Sequence, residues 1–137
     1  MKNINRYKAN VDNIPIMIKP ILGALEGAGV EHKVCYKINL ALEELLANVC
    51  LYAYYPEQGD VEICFDLNEE PKYIEISIID EGKAFNPLEK EDPDTNLSVE
   101  NRPIGGLGIL LVKKNMDNIE YKYEDNKNIL ILSKNVK

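Results

Sequence analysis

The longest regular pattern of apolar and polar positions in this chain runs from Glu31 to Tyr54. Its apolar residues recur at intervals of three and four, which places them along one stripe of a helix. The stripe consists of Val34, Ile38, Ala41, Leu42, Leu45, Leu46, Val49 and Ala53. Pro56 and Gly59 follow it and predict its end. The pattern therefore predicts one long amphipathic helix whose apolar face packs against a core.

Before this helix the pattern predicts a strand and a second helix. Residues 3–11 are weakly patterned and predict the first strand. Asp12 and Asn13 have side chains that cap helices, and an apolar segment follows them. Pro20 predicts a kink or an interruption in this segment, because proline lacks the N–H that a helix interior uses. Gly27 and Gly29 predict its end.

Four further strands are predicted from alternation and short apolar runs. Residues 61–67 alternate clearly, residues 73–80 form a β-rich run, and a polar turn separates the two. Near the end of the chain, residues 118–124 and 128–134 have the same character. The dipeptide Asp125-Asn126 lies between them, so the chain is predicted to finish as a hairpin.

Residues 86–101 break the pattern between the two pairs of strands. This segment contains two prolines and five acidic residues, which predicts a long irregular loop, and such loops in compact domains are often functional. A helix over about residues 107–116 follows. The predicted order is β-α-α-β-β-loop-α-β-β. Because helices and mainly antiparallel strands are segregated, we predict a single α+β domain over residues 1–137, a two-layer sandwich with the helices on one face of the sheet.

The composition argues against several classes of protein. With 16 basic and 23 acidic residues the net charge is −7, which disfavours a nucleic-acid-binding protein and an anionic membrane surface as a partner. The three cysteines are widely spaced and predict reduced thiols, and one histidine is too few for the usual zinc sites. No segment reaches the roughly 20 apolar residues of a membrane span, and the N-terminus has no apolar leader pattern. We therefore expect a cytoplasmic protein.

Glu44 and Asn48 are the first candidate functional pair. They are four residues apart on the predicted long helix, so both project from one face at the edge of the apolar stripe, whereas Glu43 falls on the far side. A carboxylate and an amide in this arrangement can hold a metal ion or a metal-bound water. The alternative is an ordinary polar pair on a solvated flank.

Asp80 is the second candidate, because a β-rich run ends on it. Gly82 follows and lets the backbone turn sharply. A carboxylate at the end of a strand can accept a hydrogen bond from an exocyclic amine of a ligand. The alternative is a plain turn, since Asp and Gly are among the commonest turn residues.

Three glycines, Gly105, Gly106 and Gly108, lie at the start of the last predicted helix. They allow close approach of a charged ligand, and the unpaired N–H groups at a helix start favour phosphate. The dinucleotide-binding fingerprint needs a strand directly before its glycines, and the P-loop needs G-x-x-x-x-G-K-[ST]; neither pattern is present. The alternative is a glycine-rich hinge without a ligand.

Together, these three segments resemble the sequence boxes of the GHKL ATPases. ALEELLANVCLYAY (41–54) resembles the N box, DEGKAFNP (80–87) the G1 box, and GGLGILLVKKNMD (105–117) the G2 box. The branch that looks most similar is that of the bacterial anti-sigma factors that are serine-protein kinases in partner-switching systems. The resemblance covers nearly the whole chain and implies the Bergerat (GHKL) ATP-binding fold.

The resemblance also implies a role for each matching residue. Glu44 matches the general base that activates a hydroxyl or a water, and Asn48 matches the magnesium ligand. Asp80 matches the aspartate that binds the adenine amine. The remaining nucleotide-binding positions are Gly82, Ala84, Gly105, Gly106, Leu107, Gly108 and Asn128, with an ATP lid over about residues 86–104. The implied cofactors are ATP or ADP and Mg²⁺.

Some positions depart from the family pattern. Ala84 replaces the second glycine of the G1 box, and Tyr52 replaces a histidine common near the end of the N box. Ile104 stands where an arginine often precedes the G2 glycines, although Arg102 lies two residues earlier. Asn128 stands where a hydroxyl residue is expected in the last strand, and its amide can still donate or accept. These departures bear on target identity and rate more than on nucleotide binding.

The function that the resemblance implies is an anti-sigma-factor-like, ATP-dependent serine/threonine protein kinase. Its substrate would be a small STAS-type anti-anti-sigma protein, and a sigma factor is a second candidate partner for the same surface. The alternative is a nucleotide-switched protein-binding module without significant kinase activity. The catalytic half of a histidine kinase is disfavoured, because the chain leaves no room for a dimerisation helix pair. Family members commonly dimerise, so a homodimer is a candidate assembly, although no pattern here marks a dimer face.

Overall fold

Five antiparallel strands form one open sheet in the computed structural model, which describes residues 3–70, 72–89 and 106–137. The strands are β1 (Asn3–Lys8), β2 (Asp60–Glu69), β3 (Lys72–Asp80), β4 (Asn118–Glu124) and β5 (Lys127–Asn135). Their order across the sheet is β1-β2-β3-β5-β4, and every neighbouring pair is antiparallel. The last strand of the chain, β5, therefore lies inside the sheet beside β3.

The alternation of side chains gives this sheet one deeply buried face. On β3, Ile74, Ile76 and Ile78 are at most 2% exposed, and the residues between them are less buried. Ile78 pairs with Ile63 on β2 and with Leu130 on β5. Because residues paired in register point to the same face, these apolar side chains form a continuous layer across the centre of the sheet.

Three helices, α1 (Ile14–Gly27), α2 (His32–Asn48) and α3 (Gly106–Asn115), share one core with this layer. Helix α2 packs against both of the others. Its buried residues are Cys35, Ile38, Ala41, Leu42, Leu45 and Leu46, and all but the cysteine belong to the predicted stripe. Burying a large aliphatic side chain contributes about 1.5–3 kcal/mol, so this face holds α2 in place. The arrangement confirms the predicted α+β fold.

No helix among the described residues combines the length and the apolar character that crossing a membrane requires.

The predicted interruption at Pro20 is wrong, because α1 continues from Ile14 to Gly27 with the proline inside it. Pro20 is exposed, whereas Met17 and Ile21 on either side of it are buried in the core. Packing of the apolar face before and after the proline keeps the helix continuous, because tertiary packing supplies most of the stability of a protein helix.

The predicted N-cap position of α1 is confirmed at Asn13, although the side chain of Asn13 does not form the cap hydrogen bond. Asn10 caps a short 3-10 turn, Val11–Asn13, and its side chain accepts a hydrogen bond from the N–H of Asp12 at 2.9 Å. Asn13 makes no side-chain cap for α1 and instead donates to the carbonyl of Lys8 at 3.1 Å. The side-chain cap therefore lies at the start of the 3-10 turn, three residues before the N-cap position of α1.

The long helix of the pattern changes character near its end. After Asn48, α2 gives way to a π-helical turn, Val49–Ala53. Spacing of three and four residues cannot separate an α-helix from a single π-helical turn, so the sequence did not predict this change. Val49 and Ala53 are consequently half-buried and line a cavity, rather than continuing the fully buried stripe.

The closing hairpin has its turn at Asp125 and Asn126, as predicted. Both residues have left-handed backbone conformations, with φ of 52° and 62°. Two successive left-handed residues match the twist of the flanking strands in a two-residue hairpin. This tight connection fixes the register of β4 and β5.

Candidate functional site

A cavity of about 390 Å³ opens between the end of α2 and the buried face of the sheet. Most of the side chains that line it are apolar. Its charged and amide side chains are Asn48, Asp80, Lys83 and Asn128. A largely apolar cleft of about 300–1,000 Å³ with a few polar groups is typical of a small-molecule site.

Asp80 is the last residue of β3 and only 7% exposed. Its Oδ1 accepts two hydrogen bonds, from the backbone N–H of Gly82 at 2.9 Å and from the amide of Asn128 at 3.0 Å. Burial raises the pKa of Asp80, and the two hydrogen bonds oppose that rise. Asp80 lines the cavity, and both of the hydrogen bonds that described residues donate to it end on Oδ1. Its other oxygen, Oδ2, is therefore the candidate acceptor for a ligand in this cavity.

The backbone that follows Asp80 is fixed against the π-helical turn. The N–H of Lys83 donates to the carbonyl of Ala53 at 3.0 Å. The same carbonyl lies so close to Gly82 that a Cβ added to the glycine would overlap it. Gly82 is needed here for this close approach of two backbone segments.

Tyr54 connects the end of the π-helical turn with two strands. Its hydroxyl donates to the carbonyl of Asp60, at the start of β2, at 2.6 Å and accepts from the N–H of Glu81, just after β3, at 2.7 Å. Burial raises the pKa of Tyr54, so the hydroxyl keeps the proton that it donates. Its ring lies against Gly59, where an added Cβ would overlap the ring. Tyr54 therefore braces the backbone next to Asp80.

The predicted pair on α2 divides between the cavity and its surroundings. Asn48 is the last residue of α2 and lines the cavity. Glu44 lies one turn earlier, is half-buried, and is not among the described residues that line the cavity. Glu43 is exposed and accepts a hydrogen bond from the amide of Asn39 at 3.0 Å. The structure thus brings Asn48 and Asp80 together and does not bring Glu44 into the same wall.

The glycine cluster lies only partly within the described residues. Helix α3 begins at Gly106 and includes Leu107 and Gly108 in its first turn. The backbone N–H groups of a first turn have no partner within the helix, and Ile109 in the same turn lines the cavity. The start of α3 therefore adjoins the cavity. Outside the described residues are Arg102, Ile104, Gly105 and the predicted lid from residue 90 onward.

Two positions that depart from the family pattern lie in the cavity wall. Tyr52 and Ala84 both line it, and Phe85 follows Ala84 there. Tyr52 is 46% exposed and Phe85 is 47% exposed, so both aromatic side chains contact solvent as well as the cavity. Substitution of these residues can therefore change the shape of the cavity opening while the polar side chains inside the cavity stay in place.

The donor set of the cavity fits magnesium only in company with a phosphate ligand. Among the described residues, no group of three or more His, Cys, Asp and Glu side chains could hold a metal ion. Magnesium is commonly held by one or two protein oxygens together with water and substrate phosphates. The amide oxygen of Asn48 could be such a protein ligand.

Several residues of the site escaped the sequence analysis. Tyr54 and the carbonyl of Ala53 hold the backbone after β3, and Tyr121 donates its hydroxyl hydrogen bond to Asn128. Each acts between segments that are distant in the chain, so no periodic pattern marks it. Gly59 was the one feature of the sequence that could have drawn attention to these residues, and it predicted only the end of a helix.

We predict that Gly82→Ala destabilises the protein, whereas Gly23→Ala does not. The added methyl group at position 82 meets the carbonyl of Ala53, and such overpacking typically costs about 1–3 kcal/mol. Gly23 lies inside α1 with no heavy atom within 4 Å, so alanine there should stabilise by about 0.5–1 kcal/mol. Urea unfolding of both variants measures the difference. Equal stability of the two variants would contradict the close approach at Gly82.

We predict that Asp80→Asn removes a pH dependence of stability. Folding raises the pKa of Asp80 above its ordinary value of 3.8. The contribution of Asp80 to the free energy of unfolding is therefore largest below pH 3.8, and it falls as the pH rises through the raised pKa. The asparagine Oδ1 can still accept both hydrogen bonds, so the variant should gain stability relative to the wild type as the pH rises from about 4. Urea unfolding between pH 4 and 7 measures this, with the exposed Asp12→Asn as the control. Parallel pH profiles for wild type and Asp80→Asn would refute it.

The chain is similar to known proteins over most of its length. Residues 7–134 match the family described as a histidine kinase-like ATPase domain. The serine-protein kinases RsbW of Bacillus mycoides (strain KBAB4) and Bacillus cereus (strain ATCC 10987 / NRS 248) are each 28% identical over 130 residues, which make up 92% of this chain and 80% of each relative. The fold is similar to the crystal structure of the RsbU and RsbW domains of Rv1364c from Mycobacterium tuberculosis, with a TM-score of 0.69 and 12% identity.

That structural similarity covers 99% of this chain and 32% of the mycobacterial chain, and at 12% identity it supports the fold alone. The family match, in contrast, spans nearly the whole chain. This protein therefore belongs to the histidine kinase-like (GHKL) ATPase family.

Proposed function

We propose that this protein binds ATP and ADP and is a serine/threonine protein kinase of the anti-sigma-factor type. The observation that carries the proposal is Asp80, a buried carboxylate that lines a mainly apolar cavity and accepts hydrogen bonds from described residues on Oδ1 alone. An adenine ring has apolar faces and an exocyclic amine, so it suits such a cavity. The relatives named serine-protein kinase RsbW support the reaction class.

The polar end of the nucleotide is expected between α2 and α3. Asn48 at the end of α2 would hold Mg²⁺, and the N–H groups of Gly105, Gly106, Leu107 and Gly108 would hold phosphate oxygens. When bound, Mg²⁺ neutralises phosphate charge during phosphoryl transfer. Lys83, which also lines the cavity, offsets part of the net charge of −7 near the ligand.

Glu44 is the proposed general base. It lies one turn before Asn48 on the same face of α2. The hydroxyl proton of a serine or threonine would pass to Glu44 as the hydroxyl oxygen bonds to the γ-phosphorus and ADP leaves. A base for an incoming protein hydroxyl acts on the side of the phosphate that faces away from the adenine, so Glu44 need not line the adenine cavity.

The proposed substrate is a small STAS-type anti-anti-sigma protein, with a sigma factor as a further partner and a homodimer as the candidate assembly. The cytoplasm is the proposed location. The second candidate function is a nucleotide-switched binding module with negligible transferase activity. The position of Glu44 outside the cavity lining is the observation that keeps this candidate open.

We predict that the purified protein binds ATP and ADP in a magnesium-dependent way. The expected dissociation constants are micromolar, which corresponds to a binding free energy of about 8 kcal/mol. Asn48→Ala should bind nucleotide equally with magnesium and with EDTA, because it lacks the proposed metal ligand. Asn39→Ala, which removes an amide on the same helix that bonds Glu43 and is not among the described residues that line the cavity, should keep the magnesium dependence. Calorimetric titration measures all three. Absence of nucleotide binding by the wild type would overturn the proposed function.

We predict that Glu44→Ala lowers the rate of phosphoryl transfer to a STAS-type protein by about 10²–10⁴-fold, the usual contribution of a general base. Its ATP affinity should stay close to that of the wild type. Glu43→Ala removes the neighbouring carboxylate on the exposed side of α2 and should leave the rate unchanged. Transfer of radioactive γ-phosphate measures the rates. An unchanged rate in Glu44→Ala would exclude Glu44 as the base, and no transfer by the wild type would favour the binding module.

A further inference from the structure

Asn128 lies inside the sheet, on β5 opposite Asp80, and is 6% exposed. Its Nδ2 donates to Oδ1 of Asp80 at 3.0 Å and to the carbonyl of Lys83 at 2.8 Å, and the carbonyl of Gly82 is a third, longer contact at 3.5 Å. Its Oδ1 accepts from the backbone N–H of Phe85 at 3.0 Å and from the hydroxyl of Tyr121. One buried side chain therefore contacts the end of β3, the segment that follows it, and the neighbouring strand β4.

These bonds use the whole hydrogen-bonding capacity of the Asn128 side chain. A carboxamide has two N–H donors and two acceptor positions on its oxygen. The Nδ2 group faces a carboxylate and a carbonyl, and Oδ1 faces an N–H and an O–H, so the orientation of the amide is fixed by its partners. A direct hydrogen bond from Asn128 to a ligand would require the loss of one of these contacts.

We propose that Asn128 is a positioning residue, which orients the Asp80 carboxylate and the backbone of residues 83–85 so that a nucleobase amine meets Oδ2 of Asp80. This inference rests on the proposed function and deepens it. Selection of adenine then depends on Asp80 as an acceptor, and Asn128 acts through Asp80 rather than on the base. The sequence resemblance implied that Asn128 binds the nucleotide directly. In this proposal Asn128 instead acts on the nucleotide through Asp80.

A hydroxyl residue at position 128 could not reproduce this arrangement. Serine and threonine have one O–H donor, whereas Asn128 donates to both Asp80 and Lys83. Either replacement would leave the carbonyl of Lys83 or Oδ1 of Asp80 without its bond. The longer carboxamide also reaches the N–H of Phe85, so it fixes two points of the same backbone segment.

The test compares ATP with ITP, in which a carbonyl replaces the amine of the base. Both nucleotides are titrated into the wild type, Asn128→Ala and Asn118→Ala. The control removes an exposed asparagine side chain from β4 of the same hairpin. The wild type and the control should prefer ATP. Asn128→Ala should lose about ten- to a hundredfold in ATP affinity, as expected for a hydrogen bond to a charged group, and should bind ITP nearly as before.

A second measurement needs no nucleotide. In the wild type, the amide protons of Lys83 and Phe85 should both exchange slowly, because they donate to Ala53 and Asn128. In Asn128→Ala the Phe85 amide should exchange at least about tenfold faster, since an opened hydrogen bond no longer limits exchange, while the Lys83 amide stays protected. NMR-detected hydrogen exchange distinguishes the two residues.

Equal losses of ATP and ITP affinity in Asn128→Ala would show that Asn128 supports only the fold and would overturn the inference. Unchanged ATP affinity, or an unchanged Phe85 amide, would also overturn it. If Asn128→Ala does not fold, Asn128→Thr provides the same two measurements with a smaller change in volume, because one hydroxyl cannot replace both donors of the amide. If the wild type binds neither nucleotide, the proposed function fails, and the exchange of the Phe85 amide alone then tests whether Asn128 positions the segment.

Discussion

The hydrogen bond between Asp80 and Asn128 depends on the register of two strands that are 48 residues apart in sequence. A shift of one residue between β3 and β5 would turn one of these side chains to the opposite face of the sheet. The same register aligns Ile78 with Leu130 in the core. Packing of the apolar layer thus fixes the β3–β5 register, and that register places Asn128 beside the buried carboxylate of Asp80. The core and the site therefore depend on the same strand pairing.

The backbone beside this pair is held from two directions. Asn128 holds residues 83–85 from the sheet side, and Ala53 and Tyr54 hold residues 81–83 from the end of α2. The helix that carries Asn48 is therefore connected through backbone contacts to the residue proposed to bind the base. Such contacts limit the relative movement of the two ends of a nucleotide site, which favours a preformed cavity.

The sequence was sufficient to predict those features that depend only on residues close together in the chain. The stripe of α2 and the turn at Asp125-Asn126 follow from local spacing and local conformation, and both are present. Local patterns also marked two candidates that line the cavity, Asn48 by its four-residue spacing from Glu44 and Asp80 by its place at the end of a β-rich run. The π-helical turn and the continuous α1 could not be predicted, because tertiary packing rather than residue type decides them.

Gly59 is not among the described residues that line the cavity, yet it must remain glycine because the Tyr54 ring occupies the space of a side chain. The ring cannot move aside freely, since its hydroxyl is bonded to Asp60 on one side and to Glu81 on the other. A side chain at position 59 would therefore displace the Tyr54 ring and, through its hydroxyl, the backbone at the end of β3 that is proposed to bind the base. The residue at position 59 can thus affect nucleotide binding although it does not line the cavity.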